Sequence, residues 1–104
     1  DNDVNPREYL GRFWVDSLVH DPNALHYLIK TVTDRRIILG SDYPFPLGEE
    51  HPGTMIEAMN DLAMDVRRRL LVDNALEFLG VTAESFVAKP QAAVSQEATV
   101  EVAR

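Results

Sequence analysis

The chain reads as an α/β piece, two short parallel strands with flanking helices. Three observations predict it. The apolar runs Phe13-Trp14-Val15 and Ile37-Ile38-Leu39 are short enough to be buried strands. Between them Leu25, Leu28, Ile29 and Val32 recur at helical spacing. Strand, helix and strand within residues 13–39 is the span of a βαβ unit, whose right-handed crossover leaves the two strands parallel.

Each element has a local cause. Asn5 before Pro6 is an N-cap followed by a first-turn proline, so Pro6 to Gly11 is a short helix. The strand Phe13–Val15 ends in Asp16-Ser17, and Trp14 beside Phe13 belongs to the core. Asp21-Pro22 repeats the cap-plus-proline signal and starts the helix that carries the apolar stripe to Thr31 or Thr33. Asp34-Arg35-Arg36 turns into Ile37–Leu39, which stops at Gly40-Ser41-Asp42. Pro44 and Pro46 then forbid regular structure. Met55, Ile56 and Met59 form a helix capped near Thr54. Asp65 to Val72 forms another, and Asn74 to Leu79 continues or restarts it up to Gly80. Asn74 is a helix cap or a staple to backbone. Thr82 and Ser85 make a weak capping box, and residues 88–104, without periodicity or aromatics, read as a disordered tail.

Composition excludes several functions. A net charge of −7 argues against nucleic acid. The cluster Arg67-Arg68-Arg69 follows Glu57, Asp61 and Asp65 and reads as a solvated helix face. No cysteine means no disulfide framework and no thiolate metal site, which fits a cytoplasmic protein. No apolar run reaches the roughly 18 residues of a membrane span, and the acidic, polar start lacks signal-peptide character. It reads as a chain cut from something longer.

Parallel strands end at one edge, so Asp16-Ser17 and Ser41-Asp42 surround one potential site. A bare aspartate there is otherwise a cap or a turn residue. His20, His26 and His51 lack the spacing of a metal site and read as surface or packing residues, with Glu49 to Pro52 a solvated loop. Two parallel strands cannot make an independent sheet, so their edges pair with further barrel strands or with another chain.

Asn5-Pro6-Arg7-Glu8-Tyr9-Leu10-Gly11, residues 13–22, the run Ser41-Asp42-Tyr43-Pro44-Phe45-Pro46-Leu47-Gly48-Glu49 and residues 74–80 carry a resemblance. In order and spacing they resemble the 2-amino-3-carboxymuconate-6-semialdehyde decarboxylase family of the metal-dependent amidohydrolase superfamily. The resemblance implies that residues 1–87 are the C-terminal part of a TIM-type (β/α)8 barrel, its last two strands and following helices, open when isolated. It implies a Zn²⁺ cofactor with Asp42 as one metal ligand, and Phe45 as a substrate-binding pocket wall, where the residue pattern by itself equally allows an aromatic plug under the barrel mouth. The family's His-x-His pair, a further metal-binding histidine and its catalytic histidine would lie upstream, so no catalytic residue falls within the chain. The implied function is non-oxidative decarboxylation of a small-molecule substrate in tryptophan breakdown, with zinc bound only weakly by this piece. The implied partners exclude nucleic acid and membrane and leave room for a homo-oligomer. Two alternatives stand beside it. One is an inert or partner-binding half-barrel; the other is a related aromatic-acid decarboxylase or hydrolase of the superfamily.

Overall fold

The computed structural model describes residues 3–87 of the 104-residue chain. The expected tail, residues 88–104, lies outside the described residues. A 3-10 turn, Pro6–Tyr9, opens the described chain. It is followed by β1 (Val15–Asp16), α1 (Pro22–Val32), β2 (Ile37–Ile38), α2 (Thr54–Ala58), α3 (Met64–Arg68), a π-helical turn (Arg69–Asp73), α4 (Asn74–Leu79) and a second 3-10 turn, Ala83–Phe86. The strands are parallel, with Val15 opposite Ile37 and Asp16 opposite Ile38. The α/β reading therefore holds. Among the described residues no helix is long and apolar enough to cross a membrane.

The capping signals act as expected. Asn5 accepts a hydrogen bond from the Arg7 amide, though the helix it starts is 3-10 rather than α. The Asp21 carboxylate accepts from the Asn23 and Ala24 amides, and Pro22 occupies the first helical position, where no amide is needed. α4 ends on Gly80 in the left-handed region. The cap of α2 differs: Gly53 is the N-cap, while the Thr54 hydroxyl donates to the His51 carbonyl from inside the helix.

The stripe of α1 packs as its spacing predicts. Leu25 is fully buried with Ile37, Ile56, Met59, Leu62 and Leu70, and Leu28, Ile29, Val15 and Leu39 pack against that cluster. Val15 and Ile37 thus share the helical side of the ribbon. By pleat alternation Asp16 and Ile38 take the other side, where Asp16 is exposed and Ile38 half-buried.

Both strands are shorter than expected. Pairing begins where the Val15 amide donates to the Arg36 carbonyl and ends where the Ser17 amide donates to Ile38. Phe13 and Leu39 fall outside it, as does Trp14. Phe13 is 43% exposed. Trp14 is half-buried instead of core. Its ring meets Phe78 edge-on at 5.6 Å, and the Arg36 guanidinium lies 4.7 Å over it.

The arginine cluster also departs from a wholly solvated face. Arg67 donates to the Glu57 carbonyl and Arg68 faces Asp73, but Arg69 is half-buried and grips Asp34, with Asp65 alongside. Asp34 holds the Arg69 guanidinium above its ordinary pKa, against the opposing effect of burial. Asn74 is the staple: its amide donates to the Asp34 carbonyl at 2.6 Å and the Ile37 carbonyl at 2.8 Å. Arg69 and Asn74 would diverge by about 140° on an α-helix of 3.6 residues per turn. The wider turn, closed by the Asn74 amide on the Arg69 carbonyl, lets both reach the start of β2. Helix α3 therefore continues into α4 through that turn.

Candidate functional site

The edge where β1 and β2 both end is built from four short segments. Ser17 is 4% exposed, and its hydroxyl accepts from the Gly40 amide at 3.4 Å. Asp16 turns back on its own chain, its carboxylate accepting from the Leu18 amide at 3.0 Å. Gly40 packs directly against Asp16. Two residues on, Asp42 takes φ 56°, a left-handed conformation that aspartate tolerates better than most residues.

The chain then closes on itself. The Glu49 amide donates to the Ser41 carbonyl at 2.8 Å, so residues 41–49 form a loop pinched at its base. Inside it the Phe45 amide donates to the Asp42 carbonyl at 2.9 Å across a cis Tyr43–Pro44 bond, the geometry of a type VI turn. The Gly48 amide donates to the Phe45 carbonyl at 2.9 Å, and the Ser41 hydroxyl accepts from the Tyr43 amide. The sequence predicts a solvated loop at Glu49. Glu49 is instead half-buried, with its carboxylate accepting from the Gly53 amide, because it closes one loop and opens the next.

Ser17 and Asp42 thus share one rim, as the parallel strands require. Phe45 stands three residues from Asp42 on the same loop and is 65% exposed, with Tyr43 and Leu47 more exposed still. Among the described residues the Asp42 carboxylate has no hydrogen-bond or ion-pair partner, which leaves both oxygens open to a cation.

The histidines do not join it. His26 is paired with Asp61 at 2.5 Å, linking α1 to the turn before α3. His20 and His51 are exposed, and His51 contributes its carbonyl to Thr54. Among the described residues no group of three or more His, Cys, Asp or Glu is placed to hold a metal ion. The donor type at Asp42 fits one oxygen ligand of a zinc site. The described residues do not fit a whole one.

Sequence reasoning missed Gly40, Gly48 and Glu49, which seat the Asp42 loop. The visible sign was two glycines bracketing a doubly proline-stiffened segment.

A family model described as "Amidohydrolase" matches residues 3–81. The chain is 49% identical over 86 residues to a Dictyostelium discoideum protein named 2-amino-3-carboxymuconate-6-semialdehyde decarboxylase, an alignment covering 83% of this chain and 24% of that protein. It is 46% identical over 78 residues to a Caenorhabditis elegans protein of the same name, covering 75% of this chain and 20% of that one. The match spans about a quarter or less of the length of these curated relatives.

Proposed function

Because the chain belongs to the amidohydrolase family, we propose that it forms the C-terminal part of a (β/α)8-barrel decarboxylase whose substrate is 2-amino-3-carboxymuconate 6-semialdehyde. The reaction is a non-oxidative loss of CO₂ in tryptophan breakdown, in the cytoplasm. The observation that carries this reading is the placement of Asp42. Its carboxylate, without a partner among the described residues, stands on the closed loop that follows β2, beyond the strand edge where α/β barrels gather their chemistry.

Asp42 would supply one anionic oxygen to Zn²⁺, and the remaining ligands would come from outside the described residues. When bound, the ion supplies Lewis acidity at the substrate. This chain's own part is to hold the carboxylate in place and to shape the pocket mouth. Phe45 would form an apolar wall near Asp42, its backbone amide donating to the Asp42 carbonyl. Ser17 fixes the neighbouring strand end through the Gly40 amide. The relatives' shared name favours this substrate over the aromatic acids of sister families.

The test is a graft. The matched stretch of the Dictyostelium protein is replaced by the corresponding residues of this chain, and zinc content and CO₂ release are measured. The graft should keep both. Asp42→Ala within it should lower both, by more than the roughly 10–100-fold cost of losing a residue that only orients a ligand. Full zinc occupancy in that variant, or an unsubstituted graft that folds without zinc or activity, refutes the proposal.

A further inference from the structure

Asp42 is seated between two glycines that leave no room for a side chain. Neither Gly40 nor Gly48 has a positive φ, so their backbone conformation is open to any residue. Space is what reserves them. A Cβ on Gly40 would stand 2.7 Å from Asp16 Cβ and 2.9 Å from its Cγ. A Cβ on Gly48 would run into the Ser41 carbonyl oxygen and stand 3.0 Å from the Asp42 carbonyl oxygen and 3.1 Å from its carbon. Non-bonded carbon atoms settle at about 3.5–4.0 Å, so both positions are overfilled by one methyl group.

Neither obstacle can step aside cheaply. Asp16 Cβ is attached to β1, which the Ser17 amide holds to Ile38. The Ser41 carbonyl already accepts from Glu49, and the Asp42 carbonyl from Phe45. Gly48 therefore lies under both peptide planes that flank the Asp42 Cα, while Gly40 sets the approach of β2 to β1 two residues earlier. Asp42 itself keeps a left-handed φ, which persists only where the surroundings over-determine it.

We propose that Gly40 and Gly48 are positioning residues, fixing where the Asp42 carboxylate stands above the strand ends. This rests on the reading of Asp42 as a ligand. A carboxylate displaced by about 1 Å loses on the order of 100-fold in rate without any ligand being removed.

In the Dictyostelium graft, Gly48→Ala and Gly40→Ala should each lower kcat about 100-fold and zinc affinity at least tenfold, with KM within twofold. Adding Asp16→Gly to Gly40→Ala removes the Cβ that the new methyl meets, and should recover at least tenfold of both losses. A residue that merely stabilised the fold would shift the melting temperature and leave zinc affinity per folded chain unchanged. Unchanged zinc affinity in Gly48→Ala, or no recovery on adding Asp16→Gly, overturns the proposal. A folded unsubstituted graft without zinc would instead sink the ligand reading. Positioning is then read in the 104-residue chain by amide hydrogen exchange. Gly48→Ala should speed exchange at Glu49 and Phe45 at least tenfold while Leu25 stays protected. Unaltered exchange at Glu49 overturns it.

Discussion

Replacing Asn74 should loosen the whole helical layer from the sheet. Its side chain is 2% exposed and donates to two backbone carbonyls, those of Asp34 and Ile37. The Arg36 and Ile38 carbonyls accept from β1, so the Ile37 carbonyl points to the opposite edge of β2, and Asn74 caps it there. Asn74→Ala removes two hydrogen bonds of about 1 kcal/mol each and leaves the buried Ile37 carbonyl unpaired, which adds about 1 kcal/mol. The expected loss is roughly 2–3 kcal/mol, or about 10–20 °C in Tm for a chain of this size. Urea unfolding followed by Trp14 fluorescence reads it directly. Trp14 is the single tryptophan, and its ring rests on Phe78 of α4. Asn74→Asp separates hydrogen bonding from shape. At neutral pH a carboxylate would face two carbonyl oxygens and destabilise more than alanine does. Burial and those oxygens raise its folded pKa above the unfolded value, so stability should rise as pH falls through the folded pKa. A loss below about 0.5 kcal/mol for Asn74→Ala, or Asn74→Asp milder than alanine at pH 7, would refute the reasoning.

Three further outcomes are expected. Asp21→Ala removes the acceptor for the Asn23 and Ala24 amides and should cost about 1 kcal/mol in urea unfolding, most of it recovered by Asp21→Ser. The Glu84 carboxyl lies below its ordinary pKa, first because its own backbone amide donates to it and then because of the Thr82 hydroxyl. Its contribution to the Ala83–Phe86 turn is therefore present above the ordinary carboxyl range and lost as pH falls through the lowered value. Thr82→Ala should move the Glu84 titration part of the way back up by NMR, and an unmoved titration would remove the hydroxyl from the account. Finally, residues 1–104 alone with added Zn²⁺ should release no CO₂ above a metal-only control, since the described residues place no group of three or more ligating side chains together. Turnover there would show that this chain carries its own metal site.

The legible parts of the fold are those whose causes lie a few residues apart. Asn5 and Asp21 cap amides two or three positions on, and Pro6 and Pro22 occupy the positions that need no donor. The stripe Leu25, Leu28, Ile29 and Val32 needed only the helical period to find the core. The parallel pairing of the strands followed from the helix between them, and with it the shared rim of Ser17 and Asp42.

Parts decided through space were not legible. Phe13 and Trp14 have strand composition, yet they lie outside the ladder, which runs only from the Val15 amide to the Ser17 amide. Arg69 reads as one of three surface arginines until Asp34, thirty-five residues away, is folded against it. Its spacing to Asn74 suits no α-helix, and the π-helical turn exists where both must reach the start of β2. The loop at Asp42 shows the division most clearly. Its prolines, glycines and aspartate are plain in the sequence, and they predict a stiff turn after a buried strand. That Gly48 lies beneath Asp42, and Gly40 against Asp16, depends on backbone atoms meeting across the loop and across the strands. Local sequence sets which conformations each residue can take; only the folded chain sets which atoms then compete for the same space.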